Sequence, residues 1–358
     1  MRRQHNSAVL IVAGLSLKNL NPRVWDPESP YYMRALQAVM VSYADFHAMP
    51  ARRKAAMEQG LHASLGIPFS VRIFLDNGAF YFINRHEELP VKDYEEFVAA
   101  ARPDWYPIPR DYIPTPGMPA DQKHACFTRT MEVNRAYEHD GYVPVIHIGE
   151  YLETYTTAIC EHPKLAGKPA MALGGIVPNL LRTKQAMAYA DILTGLLHMR
   201  SRFADKSLHV FGIGGTATIH IAALLGLDSV DSAGWRNRAA RGIVQLPGSG
   251  DRMMADLGKW RGRRPSDDEL SVLDQCRCPA CQVNGMDGLR ASGTVGFCYR
   301  ATHNLWVLLE EAGLIDEQLT TGTYVDWYAG HISNSIYRPL IDQLLSKCGH
   351  GEADFSQR

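Results

Sequence analysis

The chain has 358 residues, of which 46% are hydrophobic and 21% charged, and its formal net charge at pH 7 is −1. This composition is typical of a globular protein with a sizeable core, and it excludes a general attraction to polyanions through net charge. No run of about 18 apolar residues occurs, so no membrane-spanning helix is expected.

Short apolar runs alternate with longer segments of helical spacing. Parallel strands buried on both faces are predicted by the near-continuous apolar runs at 8–14, 69–77, 104–111, 142–149, 169–175, 208–215 and 228–234. The first run is too short for the hydrophobic part of a signal peptide. Helices are predicted over 91–101, 121–140, 181–203 and 217–226. With an eighth strand at 242–247, this order predicts an α/β fold, a (β/α)8 TIM barrel; a doubly wound open sheet is the alternative.

Polar residues and glycine pairs stand where several predicted strands end. They are Asp76, Asp111, Gly149-Glu150, Gly174-Gly175, the glycines of 212–215, and Asp231. A single aspartate at such a position is more often a turn or cap residue than a catalyst. In a barrel, however, the carboxyl ends of all strands meet at one rim, which is where catalytic groups gather. The sequence therefore predicts a polar cup with three aspartates.

The stretch from Trp235 to Arg264 contains eight lysines and arginines against two aspartates. A solvated basic face is one interpretation, and a surface that binds nucleic-acid phosphates is the other. Under the second interpretation the candidate contacts are Arg236, Arg238, Arg241, Arg261, Arg263 and Arg264.

Three of the seven cysteines lie within six residues, as Cys276, Cys278 and Cys281. This spacing is too tight for mutual disulfides and suits a metal ion. His303, at the start of an amphipathic helix, is the preferred fourth ligand, with Cys298 as the alternative. Three thiolates and an imidazole favour a structural Zn²⁺ with no open position for water. We therefore expect a barrel over 1–265, an inserted zinc-binding subdomain over 266–312, and C-terminal helices over 313–358 that complete the barrel.

Several motifs, taken in chain order, resemble those of the tRNA-guanine transglycosylases. They are FLDNGAF at 74–80, ALGG at 172–175, FGIGG at 211–215 with GLDSVDSAGW at 226–235, and the cysteine motif followed by HN at 303–304. The resemblance covers roughly residues 70–310, and the DSA version of the second aspartate motif is most similar to the archaeal type. DWYPIPRDYIPTP at 104–116 is similar, with a one-residue offset, to the family's strand that ends in a base-recognising aspartate.

The resemblance implies a zinc-bearing (β/α)8 barrel that exchanges guanine for a 7-deazaguanine without breaking the nucleic-acid backbone. Asp231 would attack the sugar C1′, and Asp76 would protonate the departing purine and deprotonate the incoming one. The implied base-binding groups are Phe80, by stacking, together with Asp111, Asn77 and the backbone of Gly174 and Gly175. Asn77 replaces a serine that is usual in the family's D-S-G-x-F motif, which puts its contact to the base in question.

The substrate implied by the resemblance is one of two nucleic acids. The archaeal tRNA enzymes carry further C-terminal domains, whereas this chain ends about 45 residues after the zinc-binding subdomain. A compact branch of the family inserts 7-deazaguanines, such as the 7-cyano base preQ0, into DNA in bacteria and phages. We therefore expect DNA as the partner, with tRNA as the alternative, because bacterial tRNA enzymes are also short. The expected setting is the cytoplasm of a bacterium or of a phage-infected host, and a homodimer is a further expectation.

Two hypotheses from other classes remain. A zinc-stabilised nucleic-acid-binding protein without catalysis would explain the basic stretch, but it gives no reason to place carboxylates near phosphates. A metal-dependent hydrolase would need histidines and aspartates clustered at strand ends. The candidates are His147, which stands alone in the sequence, and His209, which is expected to begin its strand.

Overall fold

The computed structural model describes residues 8–350 except 86, 88, 89, 139, 140, 181, 182, 259, 333 and 334. Lys259 of the basic stretch, and the parts of the predicted helices 121–140 and 181–203 that fall on these positions, thus lie outside the described residues. Among the described helices, none is long and apolar enough to cross a membrane.

Seven parallel strands and one strand-like segment form a ring. The strands in this part of the chain are β1 (Leu10–Gly14), β2 (Ala38–Ser42), β3 (Arg72–Asp76), β4 (Val145–His147), β5 (Ala170–Gly174), β6 (Ser207–Val210) and β7 (Ser229–Ser232), in the sheet order β3-β2-β1-β7-β6-β5-β4. Segment 105–108 closes the ring, because Trp105 bridges Phe74 of β3 and Pro107 bridges Val143 just before β4. The predicted architecture, a (β/α)8 barrel, is confirmed and the open sheet is excluded, although two of the strand assignments differ.

Two strands differ from those predicted from the sequence. β2 was not predicted, although AVMVS is a short apolar run of the expected kind. The eighth strand predicted at 242–247 is wrong as a barrel strand: β8 (Ile243–Leu246) pairs antiparallel with β9 (Gly250–Met253) in a separate hairpin. Apolar content alone cannot distinguish these two cases, because a hairpin that covers a small core is as apolar as a buried parallel strand.

Helices surround the barrel and build the C-terminal part. They are α1 (Tyr43–His47), α2 (Pro50–Gln59), α3 (Leu61–Leu65), α4 (Ala79–Arg85), α5 (Val91–Ala101), α6 (Ala120–Ala136), α7 (Leu152–Glu161), α8 (Pro163–Ala166), α9 (Val177–Leu180), α10 (Tyr189–Arg202), α11 (Thr216–Leu224), α12 (Gly234–Ala240), α13 (Asp267–Asp274), α14 (Pro279–Arg290), α15 (Gly293–Thr320), α16 (Tyr324–His331) and α17 (Arg338–His350). Helix α13 begins with a capping box: Ser266 Oγ accepts a hydrogen bond from the amide of Glu269, and a Glu269 carboxylate oxygen accepts one from the amide of Ser266.

The barrel interior changes from apolar to polar toward the carboxyl ends of its strands. Val12, Met40 and Phe74 form an interior cluster with Trp105 and Phe211 packed against it. Because side chains alternate along a strand, the residue two positions after each of these faces the same interior, one layer nearer the rim. In β2 and β3 those residues are Ser42 and Asp76, which stand opposite each other in register. The barrel interior thus has an apolar layer, the floor, and a polar layer above it at the carboxyl ends of the strands, the rim.

A second, smaller core lies beside the barrel. It contains Val244 and Leu246 of the hairpin, Leu273, Cys278 and Cys281, among others. The hairpin therefore packs with the cysteine region, upstream of the boundary expected at residue 265. Helix α15 runs without a break across the boundary expected at 312, linking this core to the barrel.

Candidate active site and metal cluster

Asp76 ends β3 at the polar rim of the barrel. Its Oδ2 accepts hydrogen bonds from Ser42 Oγ (2.9 Å) and from the amide of Gly78 (3.0 Å). Gly78 has a φ of 81°, and a Cβ there would lie 2.7 Å from the Cβ of Ala44, so the turn requires glycine. Burial raises the pKa of Asp76 to about 6, against the opposing effect of Ser42. Both bonds involve Oδ2, which leaves Oδ1 available for proton transfer.

Asp231 lies in β7, where its Oδ1 accepts a 2.6 Å hydrogen bond from the amide of Gly212. Gly212 has a φ of 77°, and a Cβ there would lie 2.1 Å from Val177 Cγ2, so this donor also depends on glycine. Burial raises the pKa of Asp231 to about 7, and the negative charge of Asp76 adds to the rise. The two predicted catalytic carboxylates therefore lie close enough to influence each other electrostatically.

The raised pKa of Asp231 has a consequence for stability. A carboxyl group with a higher pKa in the folded state contributes stability below its unfolded value of 3.8, and this contribution is lost as the pH rises to about 7. Asp231→Asn removes the buried charge, so we expect the free energy of unfolding to increase by about 2 kcal/mol at pH 8 and to change little at pH 4. Urea denaturation at the two pH values measures this. Asp268→Asn, on the exposed side of α13, is the matched control, and an equal effect of both variants would contradict the prediction.

Asp111 lies at the end of the strand-like segment and is almost fully buried. Its Oδ2 is 2.7 Å from His147 Nε2, and its Oδ1 accepts a 2.8 Å hydrogen bond from Asn77 Nδ2. Burial alone would raise the pKa of Asp111, but the hydrogen bonds from His147 and Asn77 outweigh it and hold the pKa below its usual value. His147, which stood alone in the sequence, is thus the partner of a rim carboxylate.

Asn77 uses its amide within the protein. Its second N–H donates to the carbonyl of Ile108 (3.0 Å), and its Oδ1 accepts the amide of Ala79 (3.0 Å). With a side chain 3% exposed, Asn77 links the first aspartate motif to Asp111. Both N–H groups of Asn77 and its Oδ1 thus have protein partners, and a direct contact of Asn77 with the base stays a prediction.

The other predicted base-binding residues lie at the same rim. Phe80 is at the start of α4 with 42% of its surface exposed. Gly174 ends β5 opposite His147, and its carbonyl accepts the amide of Ile148 (3.1 Å). Gly175 follows with a φ of 78°. Their contacts to a base stay predictions.

His147 also lines a cavity of about 380 Å³. Its walls include Phe127 and Tyr151, which stack with ring centroids 5.5 Å apart, and the Lys123–Glu150 ion pair. Asp76 and Asp231 do not line this cavity, so it adjoins the candidate site on the side of Asp111.

The six arginines predicted to bind nucleic acid do not form one surface. Arg241, Arg261, Arg263 and Arg264 are exposed, and Arg241 stacks on the half-exposed Trp260 at 4.1 Å. Arg238 makes two hydrogen bonds to the Asp251 carboxylate (2.7 and 2.8 Å). The prediction for Arg236 is wrong: its side chain is buried and donates to the carbonyls of Asn21 and Asn19, so a phosphate cannot reach it.

Cys276, Cys278, Cys281 and His303 form a cluster that could hold a metal ion. The three Sγ atoms lie 3.4, 3.9 and 3.6 Å from His303 Nδ1. Ligands of a tetrahedral zinc site with ordinary bond lengths are about 3.6 Å apart, so the donor set fits such an ion. Cys278 is the N-cap of α14 and precedes a proline at N1, which brings Cys281 back toward it. Cys298, the alternative ligand, is not in the cluster.

A hydrogen bond at the second ring nitrogen, Nε2, orients the imidazole of His303. Nε2 lies 2.8 Å from the carbonyl of Gln245 in β8, so that Nε2 carries the proton and Nδ1 is free to act as a ligand. The neighbouring Asn304 donates to the carbonyls of Trp235 (3.1 Å) and Ile243 (3.0 Å). The cluster is thereby connected to α12, the helix that follows Asp231.

His220, Glu311 and His331 form a second group of possible ligands, buried between α11, α15 and α16. Both histidine Nε2 atoms lie close to Glu311 Oε1, at 2.8 and 2.7 Å. These are hydrogen-bond distances, shorter than the roughly 3.4 Å that separates nitrogen and oxygen ligands on a tetrahedral zinc ion. No other cluster of this kind occurs in the described part of the chain, and neither lies at the strand ends, as a metal-dependent hydrolase would need.

Three residues close to the rim aspartates were not among the residues predicted for the site: Ser42, His147 and His209. Ser42 belongs to the unpredicted strand β2. His209 lies in the middle of β6 rather than at its start, and its Nε2 is 3.7 Å from Asp231 Oδ1. A histidine among apolar residues in a predicted interior strand was the available signal for both histidines.

The chain is similar in sequence to a known family and to several curated proteins. The family described as "Queuine tRNA-ribosyltransferase" matches residues 29–335. A tRNA-guanine(15) transglycosylase of Methanopyrus kandleri is 28% identical over 264 residues, which are 72% of this chain and 52% of that protein. The enzymes of the same name from Haloarcula marismortui and Archaeoglobus fulgidus are 25% and 26% identical over 295 residues, covering 78% and 79% of this chain and 54% and 55% of theirs. The chain thus spans about half the length of these curated relatives.

Proposed function

Because this chain belongs to the queuine tRNA-ribosyltransferase family, we propose that it is a pentosyltransferase that exchanges a guanine base of a nucleic acid for a 7-deazaguanine. The observation that carries the proposal is the pair of rim carboxylates, Asp76 and Asp231. Each has one oxygen held by the protein and a pKa raised by burial, to about 6 and about 7 respectively. Such a pair suits a reaction in which one carboxylate attacks and the other transfers a proton.

In the proposed mechanism Asp231 is the nucleophile. Its Oδ1 is held by Gly212, so Oδ2 attacks the sugar C1′ as the glycosidic bond to guanine breaks. The covalent Asp231–sugar ester keeps the phosphate backbone intact. The incoming base then attacks C1′ and releases the Asp231 carboxylate, and no nucleotide cofactor is needed because one glycosidic bond replaces another.

Asp76 is the proposed general acid and base. Through Oδ1 it gives a proton to the departing guanine, and it accepts one from the incoming base, which restores its starting state. The ionised Asp111, held by His147 and Asn77, is proposed to accept hydrogen bonds from the edge of the base. Phe80 is proposed to stack on the base after it has left its own stack.

We propose Zn²⁺ as the ion of the Cys276, Cys278, Cys281 and His303 cluster, since thiolate-rich tetrahedral sites suit zinc. Its part is structural: four protein ligands leave no position for water.

As the nucleic acid we propose tRNA. The curated relatives are named tRNA-guanine(15) transglycosylases, and this favours tRNA over DNA, the partner expected from the sequence. Arg241 stacked on Trp260, together with the exposed Arg261, Arg263 and Arg264, is the proposed contact surface. A homodimer and a cytoplasmic setting stay predictions.

The proposal is tested by incubating the purified, metal-loaded chain with radiolabelled guanine and either tRNA or DNA. We expect label in tRNA, and its displacement when a 7-deazaguanine such as preQ0 is added. Incorporation into DNA alone would contradict tRNA as the substrate and favour the DNA-modifying branch of the family. A folded protein that binds either nucleic acid, yet incorporates neither base, would contradict base exchange and favour a pure binding protein.

A further inference from the structure

His209 lies inside the barrel, one strand away from the proposed nucleophile. Its side chain is 2% exposed and is surrounded by the rings of Phe74, Trp105 and Phe211, with centroids 5.7, 5.0 and 4.7 Å away. Nδ1 is 2.9 Å from Ser229 Oγ. A polar ring on an apolar floor is costly unless its nitrogens have partners.

The second ring nitrogen has no hydrogen-bond partner among the described residues, and it points at a carboxylate. Nε2 of His209 is buried and lies 3.7 Å from Asp231 Oδ1. An unpartnered buried polar atom costs about 1–3 kcal/mol, and a contraction of less than about 1 Å would turn this contact into a hydrogen bond. The geometry thus leaves one obvious partner for Nε2.

The contact is not an ion pair. Burial lowers the pKa of His209 to about 3, so the ring is neutral at physiological pH. A neutral ring presents either an N–H or a lone pair at Nε2. A lone pair would repel the Asp231 carboxylate, whereas an N–H attracts it. The hydroxyl of Ser229 can donate to Nδ1, and the ring proton then stays on Nε2.

We propose that His209 is a positioning residue for the exchange reaction proposed above, on which this inference rests. Its Nε2–H, kept in that tautomer by Ser229, holds Oδ1 of Asp231 and favours the ionised carboxylate, so that Oδ2 faces the sugar. His209 itself touches neither the base nor C1′ in this arrangement.

The groups around Asp231 explain why such a donor is needed. Gly212 supplies one N–H to Oδ1, and Asp76 of β3 opposes ionisation through its negative charge. β1, which is paired directly with β7, consists of the apolar stretch LIVAG and presents no titratable group. The backbone N–H of Asp231 itself also favours the ionised carboxylate. His209, on the paired strand β6, is a side chain placed to add a further donor.

The direct test measures the pKa of Asp231 by NMR of carbon-13-labelled aspartate carboxyl groups, assigned with Asp231→Asn. His209→Phe keeps a ring but removes the donor, and His209→Gln places an amide N–H near the position of Nε2. We expect the pKa of Asp231 to rise by about one unit in His209→Phe and to return in His209→Gln, since one hydrogen bond to a charged group is worth about that much. A rise in both variants, or in neither, would overturn the proposal.

A control separates this effect from general destabilisation. His62 is another buried histidine, outside the barrel, whose Nε2 is 2.9 Å from Asp104 Oδ2. His62→Phe should leave the pKa of Asp231 unchanged, and a similar shift in this variant would contradict a specific role for His209.

The kinetic test uses the exchange assay. In His209→Phe we expect the acid limb of kcat/KM to move to higher pH by about one unit, a loss of roughly fivefold at pH 7, with KM for the base unchanged. An unmoved limb would overturn the proposal. If the wild-type protein exchanges no base at all, the proposed function fails, while the NMR measurement still decides whether His209 controls Asp231.

Discussion

Asp231→Asn is expected to reduce base exchange by at least about a thousandfold, because asparagine cannot form the glycosyl ester that divides the reaction into two steps. The variant keeps the size of the side chain and an oxygen for the Gly212 amide, so the barrel should fold and bind nucleic acid as before. Initial rates with labelled guanine measure the loss. A denaturing gel of protein mixed with substrate measures the covalent species, which should be present for the wild type and absent for the variant.

The matched control is Asp268→Asn, an exposed aspartate in the first turn of α13 that should retain wild-type exchange. Asp231→Asn also tests the stability prediction, because this inactive variant should be more stable than the wild-type protein at pH 8. Exchange at near wild-type rate by Asp231→Asn would assign the nucleophile elsewhere.

Loss of one cluster ligand is expected to have the largest effect on stability. Cys278→Ser should release the metal ion and lower the free energy of unfolding by about 5 kcal/mol, since metal binding and folding of such a region are coupled. The small core around the cluster includes Cys278 and Cys281 themselves, so loss of the ion should also loosen the packing of Leu246, Leu273 and Leu289. Metal content by mass spectrometry and the midpoint of thermal unfolding measure both effects.

Two other cysteines serve as controls. Cys298 is buried and was the alternative ligand, whereas Cys126 is half-buried in α6, far along the chain. Cys298→Ser and Cys126→Ser should each retain one metal ion per chain. A metal-free wild-type protein whose unfolding midpoint is insensitive to a chelator would contradict the metal site.

Loss of the ion should also reduce exchange. His303 contacts Gln245, and Asn304 contacts the carbonyls of Trp235 and Ile243, so the cluster helps to hold α12 directly after Asp231. The metal cluster and the nucleophile are thus connected through one pair of adjacent residues on α15.

The sequence by itself determined the class of fold, the strand ends and the cysteine cluster. Apolar runs separated by helical spacing predicted the barrel, and the strand-end rule placed Asp76, Asp111 and Asp231 at one rim. These features depend on neighbours along the chain, so local patterns are enough to find them. The pattern of apolar runs missed β2. It also placed β8 in the barrel, because the apolar content of a strand does not say which strand it pairs with.

Only the tertiary structure decided which side chains act together. Ser42 meets Asp76 across 34 positions, Asp111 meets His147 across 36, and His209 meets Asp231 only because β6 and β7 are paired. It also removed Arg236 from the nucleic-acid surface by burying it. The physical reason is that closing the ring sets these distances, and the burial that results changes the pKa of each carboxyl group. Residue types and spacing do not contain that information until the barrel has formed.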